Sequence, residues 1–328
     1  MPYLLDRRSA PQAAVAAAFV AAFAFFHVPW ASADAALTVA KAAATADNMM
    51  PVNVGDELGI FRKHGLALKI LDFNSGSKMA QAVAAGSIDL ADGAGSEMAL
   101  IAKGAPMKAV CEDEGTFPFL SVGVPVDSAV TSAADLKGRK MGVSSPGSLT
   151  DWLAQELARK EGWGPDDLKR VGIGSGTASV TAAFRDHLVD ADISATSLFL
   201  NMEEKKIGRL LIPVTDFEGD AAAGMIYASD RLITANPGAI RAFLAGWLET
   251  IRYMRAHKAE TVKIESGITG FSPAVMGREY DLTIGMFKDD CRFDPQGLAT
   301  LRRSFIDLKL LAEPPDMAKL YTDAFVPN

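Results

Sequence analysis

Strand and helix signals alternate along the chain in two successive series, and that rhythm admits few architectures. In the first series Leu37–Ala44 reads as a strand, Pro51–His64 as a helix closed by Gly65, and Leu66–Phe73 as a second strand. A glycine just past the last helical residue is the common left-handed C-cap. Ser75-Gly76-Ser77 opens a helix running to Ala85. Ile88–Ala91 follows as a short buried strand, then Ser96–Lys103 as a helix and Met107–Glu112 and Phe119–Val124 as strands. The second series places strands at Lys140–Ser144, Arg170–Ile173, Ala191–Ala195 and Arg209–Val214, with helices at Ser148–Glu161, Thr177–Leu188 and Leu198–Lys206. Met225–Ser229 reads as a return strand, and the remainder is helical. Asn236-Pro237 supplies an N-cap and a proline at the first helical position. Ile240, Phe243, Leu244, Trp247, Leu248, Ile251 and Met254 then share one helical face, which makes these aromatics core rather than a ligand cage. Pro295–Leu311 is another amphipathic helix. The expected fold class is α/β, with mainly parallel sheets covered by helices.

The first 33 of the 328 residues stand outside this rhythm. Arg7 and Arg8 precede an apolar run from Ala13 to Phe26, and Ala31-Ser32-Ala33 offers small residues at a cleavage site. That order is a secretory signal peptide, with cleavage expected after Ala33 and delivery to the periplasm by the general or the twin-arginine route. The run is shorter than the ~20 residues of a comfortable membrane span. The charge balance, 33 Lys+Arg against 40 Asp+Glu for a net −7, excludes a nucleic-acid binder, which needs a basic footprint. Two cysteines and four histidines exclude a four-cysteine zinc site and a histidine-rich one, so no metal and no cofactor are expected. Cys111 and Cys291 both follow Ala33. Export permits a disulfide between them, and two buried free thiols are the other reading.

Several local patterns resemble one family. They include Leu58-Gly59-Ile60-Phe61-Arg62-Lys63-His64-Gly65-Leu66, Phe73-Asn74-Ser75-Gly76-Ser77 and Ala80 to Ala91 with its Gly86-Ser87-Ile88-Asp89 turn. Ala134-Asp135-Leu136-Lys137-Gly138 leading to Met141-Gly142-Val143-Ser144, the loop Ser145-Pro146-Gly147-Ser148-Leu149-Thr150-Asp151, and the terminal Phe325-Val326-Pro327 complete the set. In this order they are similar to the nitrate/sulfonate/taurine substrate-binding proteins of ABC importers, close to the thiamine-pyrimidine-type subgroup. The resemblance implies a type II periplasmic binding protein fold: two α/β lobes joined by a two-stranded hinge, closing on ligand like a clamp. Lobe one would be 34–124 and 226–328, lobe two 125–225, with crossings near Val124-Pro125 and Gly224-Met225.

Ligands in open α/β sheets bind beyond the carboxyl ends of strands, and helix N-termini there favour anions. Two such points are Ser75-Gly76-Ser77 and Ser145 to Thr150, where Ser145, Gly147, Ser148 and Thr150 are the candidates. Ordinary capping is the alternative at Ser75–Ser77. Other strand ends add Thr45 and Asn48, Gly93 and Ala94, Glu114, Ser175 and Thr196. Ser175 lies in Gly174-Ser175-Gly176, which also reads as a plain tight turn. The family often carries an acidic residue and a proline where this chain has Ala195-Thr196-Ser197. In the cluster Glu112-Asp113-Glu114, the first two read as a solvated strand end and only Glu114 as a cleft carboxylate suited to an amine or protonated ring. No arginine or lysine falls on an expected strand-end loop, so weakly charged or zwitterionic ligands fit at least as well as sulfate-like ones.

The sequence carries no catalytic constellation. His64, His187 and His257 read as surface positions, and neither His-Glu-x-x-His nor Cys-x-x-Cys occurs. The expected function is an extracytoplasmic, monomeric receptor that captures a small polar or anionic organic solute (a sulfonate, carboxylate or pyrimidine-like compound) and delivers it to an ABC permease and its ATPase. A periplasmic sensor serving a membrane receptor is the alternative, and a pyrimidine-biosynthesis-type enzyme on the same fold a more distant one.

Overall fold

The computed structural model describes residues 34–43, 46–73, 76–164, 166–219 and 221–327. The expected signal peptide, Thr45, Ser75 and the Ser77 side chain lie outside them. The described chain begins with β1 (Ala35–Lys41), α1 (Met50–Glu57), α2 (Ile60–Lys63), β2 (Leu66–Asp72), α3 (Gly76–Ala84), β3 (Leu90–Ala94), α4 (Met98–Ala102) and β4 (Met107–Glu114). There follow β5 (Leu120–Pro125), β6 (Lys140–Val143), α5 (Leu149–Lys160), β7 (Lys169–Gly172), α6 (Thr177–Arg185), β8 (Ala191–Ala195), α7 (Thr196–Glu204) and β9 (Gly208–Pro213). The chain ends with β10 (Gly224–Ser229), α8 (Asp230–Ala235), α9 (Pro237–Ala256), α10 (Lys258–Thr269), α11 (Pro273–Thr283) and α12 (Pro295–Asp307).

The strands form two five-stranded sheets with one plan, ordered β2-β1-β3-β10-β4 and β7-β6-β8-β5-β9. In each, three parallel strands are followed by one antiparallel strand and an edge. The antiparallel strand comes from across the molecule's boundary: β10 follows the second series and inserts between β3 and β4. β5 is the correction to the expected boundary. Its residues, expected to close the first lobe, pair with β8 and β9 in the second sheet. The passage between sheets therefore falls earlier, at 115–119, and the return at 214–223. The two passages are stitched together where Ala221 and Ala223 donate backbone N–H groups to Gly115 and Glu114.

Local signals explain most element ends. The expected single helix over 51–64 is broken into α1 and α2 because Gly59 adopts φ +70°, a left-handed conformation that glycine takes without steric penalty. The apolar face of α9 is buried as its spacing demands, with Ile240, Leu244 and Trp247 fully enclosed and Phe243 stacked on Phe61 at 5.0 Å. Burying each such side chain contributes about 1.5–3 kcal/mol. Cys111 of β4 and Cys291 are joined in a disulfide. Helices α10 and α11 reach back to the second sheet, where Leu200 of α7 packs with Val262, Phe271, Val275 and Met276.

Candidate functional site

A cleft opens at the carboxyl ends of β1, β3, β6 and β8, between the two sheets. Its enclosed volume is about 100 Å³, room for a compact solute and below the range usual for drug-sized ligands. Ala42, Ala43, Asn48, Met49, Gly76, Ala94 and Glu97 line it from the first sheet's side. Phe119, Leu120, Ser144, Ser148, Leu149, Thr150, Ser175, Ile193 and Ser194 line it from the second. Among the expected site residues, it gathers Asn48, Gly76, Ala94, Ser148, Thr150 and Ser175.

The second-sheet wall is built at the start of α5. Ser148 is its N-cap, its Oγ accepting from the N–H of Asp151 at 3.3 Å. Thr150 Oγ1 accepts from the Ser144 N–H at 2.8 Å and meets the hydroxyls of Ser144 and Ser148 at 3.1 Å each. Asp151 accepts from the Gly147 N–H at 2.9 Å and pairs with Arg170 at 2.6 Å. Gly147 turns away from the cleft, where a Cβ would lie 3.1 Å from Leu310, and Ser145 is outside the lining. Thr196 is also elsewhere. Buried, it bonds to Ser121 at 2.8 Å and to the Pro118 carbonyl at 3.1 Å, tying the end of β8 to the passage between sheets.

On the first-sheet wall, Glu114 is displaced from its expected role. It is fully buried behind the cleft and accepts from Asn48 Nδ2 at 3.0 Å. Asn48 Oδ1, equally buried, has no hydrogen-bond partner among the described residues. Glu112 and Asp113 are enclosed rather than solvated, because β10 and the segment around Lys288 cover them; Lys288 pairs with Glu112 at 2.9 Å. Burial raises the Asp113 carboxyl to about 8. Burial, then the neighbouring acids, push Asp92 and Glu114 well above the usual carboxylate range. Gly93 lies inside β3, where a Cβ would stand 2.5 Å from the Met79 methyl, so its small size serves packing.

Two carboxylates carry roles that the sequence did not reveal. Glu97, 5% exposed, reaches over the first residue of α3: a Cβ on Gly76 would fall 1.6 Å from Glu97 Oε1. Burial raises this carboxyl to about 7, opposed by backbone hydrogen bonds at Glu97 and Ala94 and by the Ser96 hydroxyl. Its only sequence signal is an acid two residues past a glycine at a strand end. Asp47 crosses between the two sheets' structures. Its carboxylate accepts the N–H (3.2 Å) and hydroxyl (2.5 Å) of Ser197 in the first turn of α7. Burial raises it to about 7. Two further acids, Glu265 and Glu279, are raised first by burial and then by the nearby Asp47. Ser194, another lining residue outside the expected set, donates to Asp192 at 2.5 Å.

The NMT1/THI5-like family model matches residues 46–261. A binding protein of Brucella abortus (strain 2308) is 28% identical over 245 residues, covering 70% of this chain and 74% of its own. A solved protein from Bordetella bronchiseptica RB50 is 26% identical, with 90% of this chain and 96% of that one covered at a TM-score of 0.74. The alkanesulfonate-binding protein SsuA of Xanthomonas axonopodis pv. citri, bound to MOPS, is 19% identical. It covers 89% of this chain and 99% of its own at a TM-score of 0.76, which is a likeness of fold. With two sheets of matching plan, a cleft between them and a family match across both, the chain belongs to the NMT1/THI5-like family.

Proposed function

We propose that this protein is an exported solute-binding receptor that captures a small organic solute between its two sheets and delivers it to an ABC permease. The observation that carries this reading is the cleft itself, lined from both sheets at the strand ends where α/β folds bind ligands. A solute touching both walls favours the closed arrangement, which is how binding energy becomes a signal to a partner. The similarity to SsuA, whose solved form holds MOPS, supports the same use. Binding without chemistry is supported by the fate of the nucleophile candidates: both cysteines are joined in the disulfide, and Ser144, Ser148 and Thr150 bond to one another with no histidine among the described lining residues. Export with cleavage after Ala33 belongs to this proposal, and intact-mass measurement on the periplasmic fraction tests it. The function itself is tested by small-angle scattering during a solute screen. A stabilising solute that also contracts the protein is expected; stabilisation with turnover of the solute sinks the receptor reading in favour of an enzyme.

A further inference from the structure

We infer that the captured solute bears a hydrogen-bond-donating nitrogen, of the amine or amidine class, on a small apolar body, and that Glu97 is the residue selecting it against oxyanions. The inference deepens the receptor reading and rests on it. Helix N-termini are the ordinary means of holding an oxyanion in such a cleft, and an acid stands beside each of the two that face it here. The Glu97 carboxylate sits over Gly76 at the head of α3, a helix of nine residues. Asp151 takes the Gly147 N–H at the head of α5. No lysine or arginine stands among the described lining residues, and Arg170, the cation behind α5, is engaged by Asp151 at 2.6 Å. Among the described lining residues an arriving sulfonate would meet one carboxylate and no counter-charge.

The first-sheet wall instead holds buried acceptors. Asn48 is 2% exposed and commits its amide nitrogen to Glu114, which leaves Oδ1 as an unpartnered acceptor on a lining residue. Glu97 adds a carboxylate that is likewise more than nine-tenths buried. A buried acceptor without a donor is costly, and a nitrogen with two N–H groups satisfies such a wall. The rest of the lining, Met49, Phe119, Leu120, Leu149 and Ile193, is apolar and suits a compact hydrocarbon or aromatic body. The hydroxyls of Ser144, Ser148 and Thr150, bonded among themselves, stand on the second-sheet wall to meet a second polar group on the solute.

The test is a calorimetric and melting comparison of the purified protein with benzamidine and benzylamine against benzenesulfonate, ethanesulfonate and nitrate. The nitrogen donors are expected to raise the melting temperature at millimolar concentration, and the anions to leave it unchanged. Glu97→Gln preserves volume and removes the charge; it should weaken benzamidine at least about tenfold while the ligand-free protein melts no lower. Sulfonate or nitrate binding in preference to the amines overturns the inference, and so does a Glu97→Gln protein with unaltered benzamidine affinity. Should the variant not fold, the wild-type ranking of the two classes decides alone. Scattering separates this failure from that of the receptor reading. A protein that contracts around a sulfonate is still a solute clamp, whereas one neither stabilised nor contracted by either class fails as both.

Discussion

At the scale of single residues, the cleft is held by side chains with two duties. Ser148 lines the site and caps α5, and Thr150 lines it while fixing the Ser144 N–H. Ser148→Ala should therefore cost about 1 kcal/mol of stability, the usual loss for an N-cap, in addition to weakening solute binding. Urea denaturation and calorimetry on the same sample measure the two effects separately. Asn48 was legible as a cleft residue because it follows the first strand. Glu97 and the burial of Glu112, Asp113 and Glu114 were not. Acids at a strand end look solvated unless one knows what covers them. Here the cover is β10, more than a hundred residues further on, together with the segment that supplies Lys288.

Among the elements, α7 joins the two halves. Its first turn is capped from the first-sheet side by Asp47, and its outer face packs into α10 and α11. Asp47→Ala should lower stability by about 1–2 kcal/mol and enlarge the radius of gyration of the ligand-free protein. Ser197→Ala should cause a similar loss, and the double variant should lose less than the sum, since both removals break one contact; denaturation of all four proteins tests it. Helix ends at Gly65 and Gly86 and the cap at Asn236-Pro237 were readable because capping is local chemistry. The extent of β3 was not. Asp92 and Gly93 are poor strand residues and hold strand geometry because β10 pairs with both from across the chain, while β1 pairs with Asp92 on the other side. The placement of β5 failed for the same reason, its partners β8 and β9 being chosen by topology.

For the whole molecule, buried acids set the response to pH. Asp47, Glu97 and Asp192 are raised to about 7, and Asp113 and Glu265 to about 8, all chiefly by burial. In the unfolded chain these groups ionise near 4, so the native state holds more protons between there and pH 8. Their stabilisation is complete below the unfolded values and is lost as pH rises through the folded ones. The melting temperature should thus fall between pH 5 and pH 8, and Asp113→Asn should flatten that decline. Reducing the Cys111–Cys291 bridge, which spans 180 residues, should cost about 3–5 kcal/mol, read as a lower denaturant midpoint with reductant. The exchanged strands also impose an order of assembly on a chain that emerges from its N-terminus. Strands β5 to β9 are contiguous, so the second sheet has all its members once Pro213 has emerged. The first must wait with a gap between β3 and β4 until Ser229 arrives, and its sulfur pair waits longer still, for residue 291. The half made last is thus the one begun first, and a chain truncated before residue 224 should carry one finished sheet and one that cannot close.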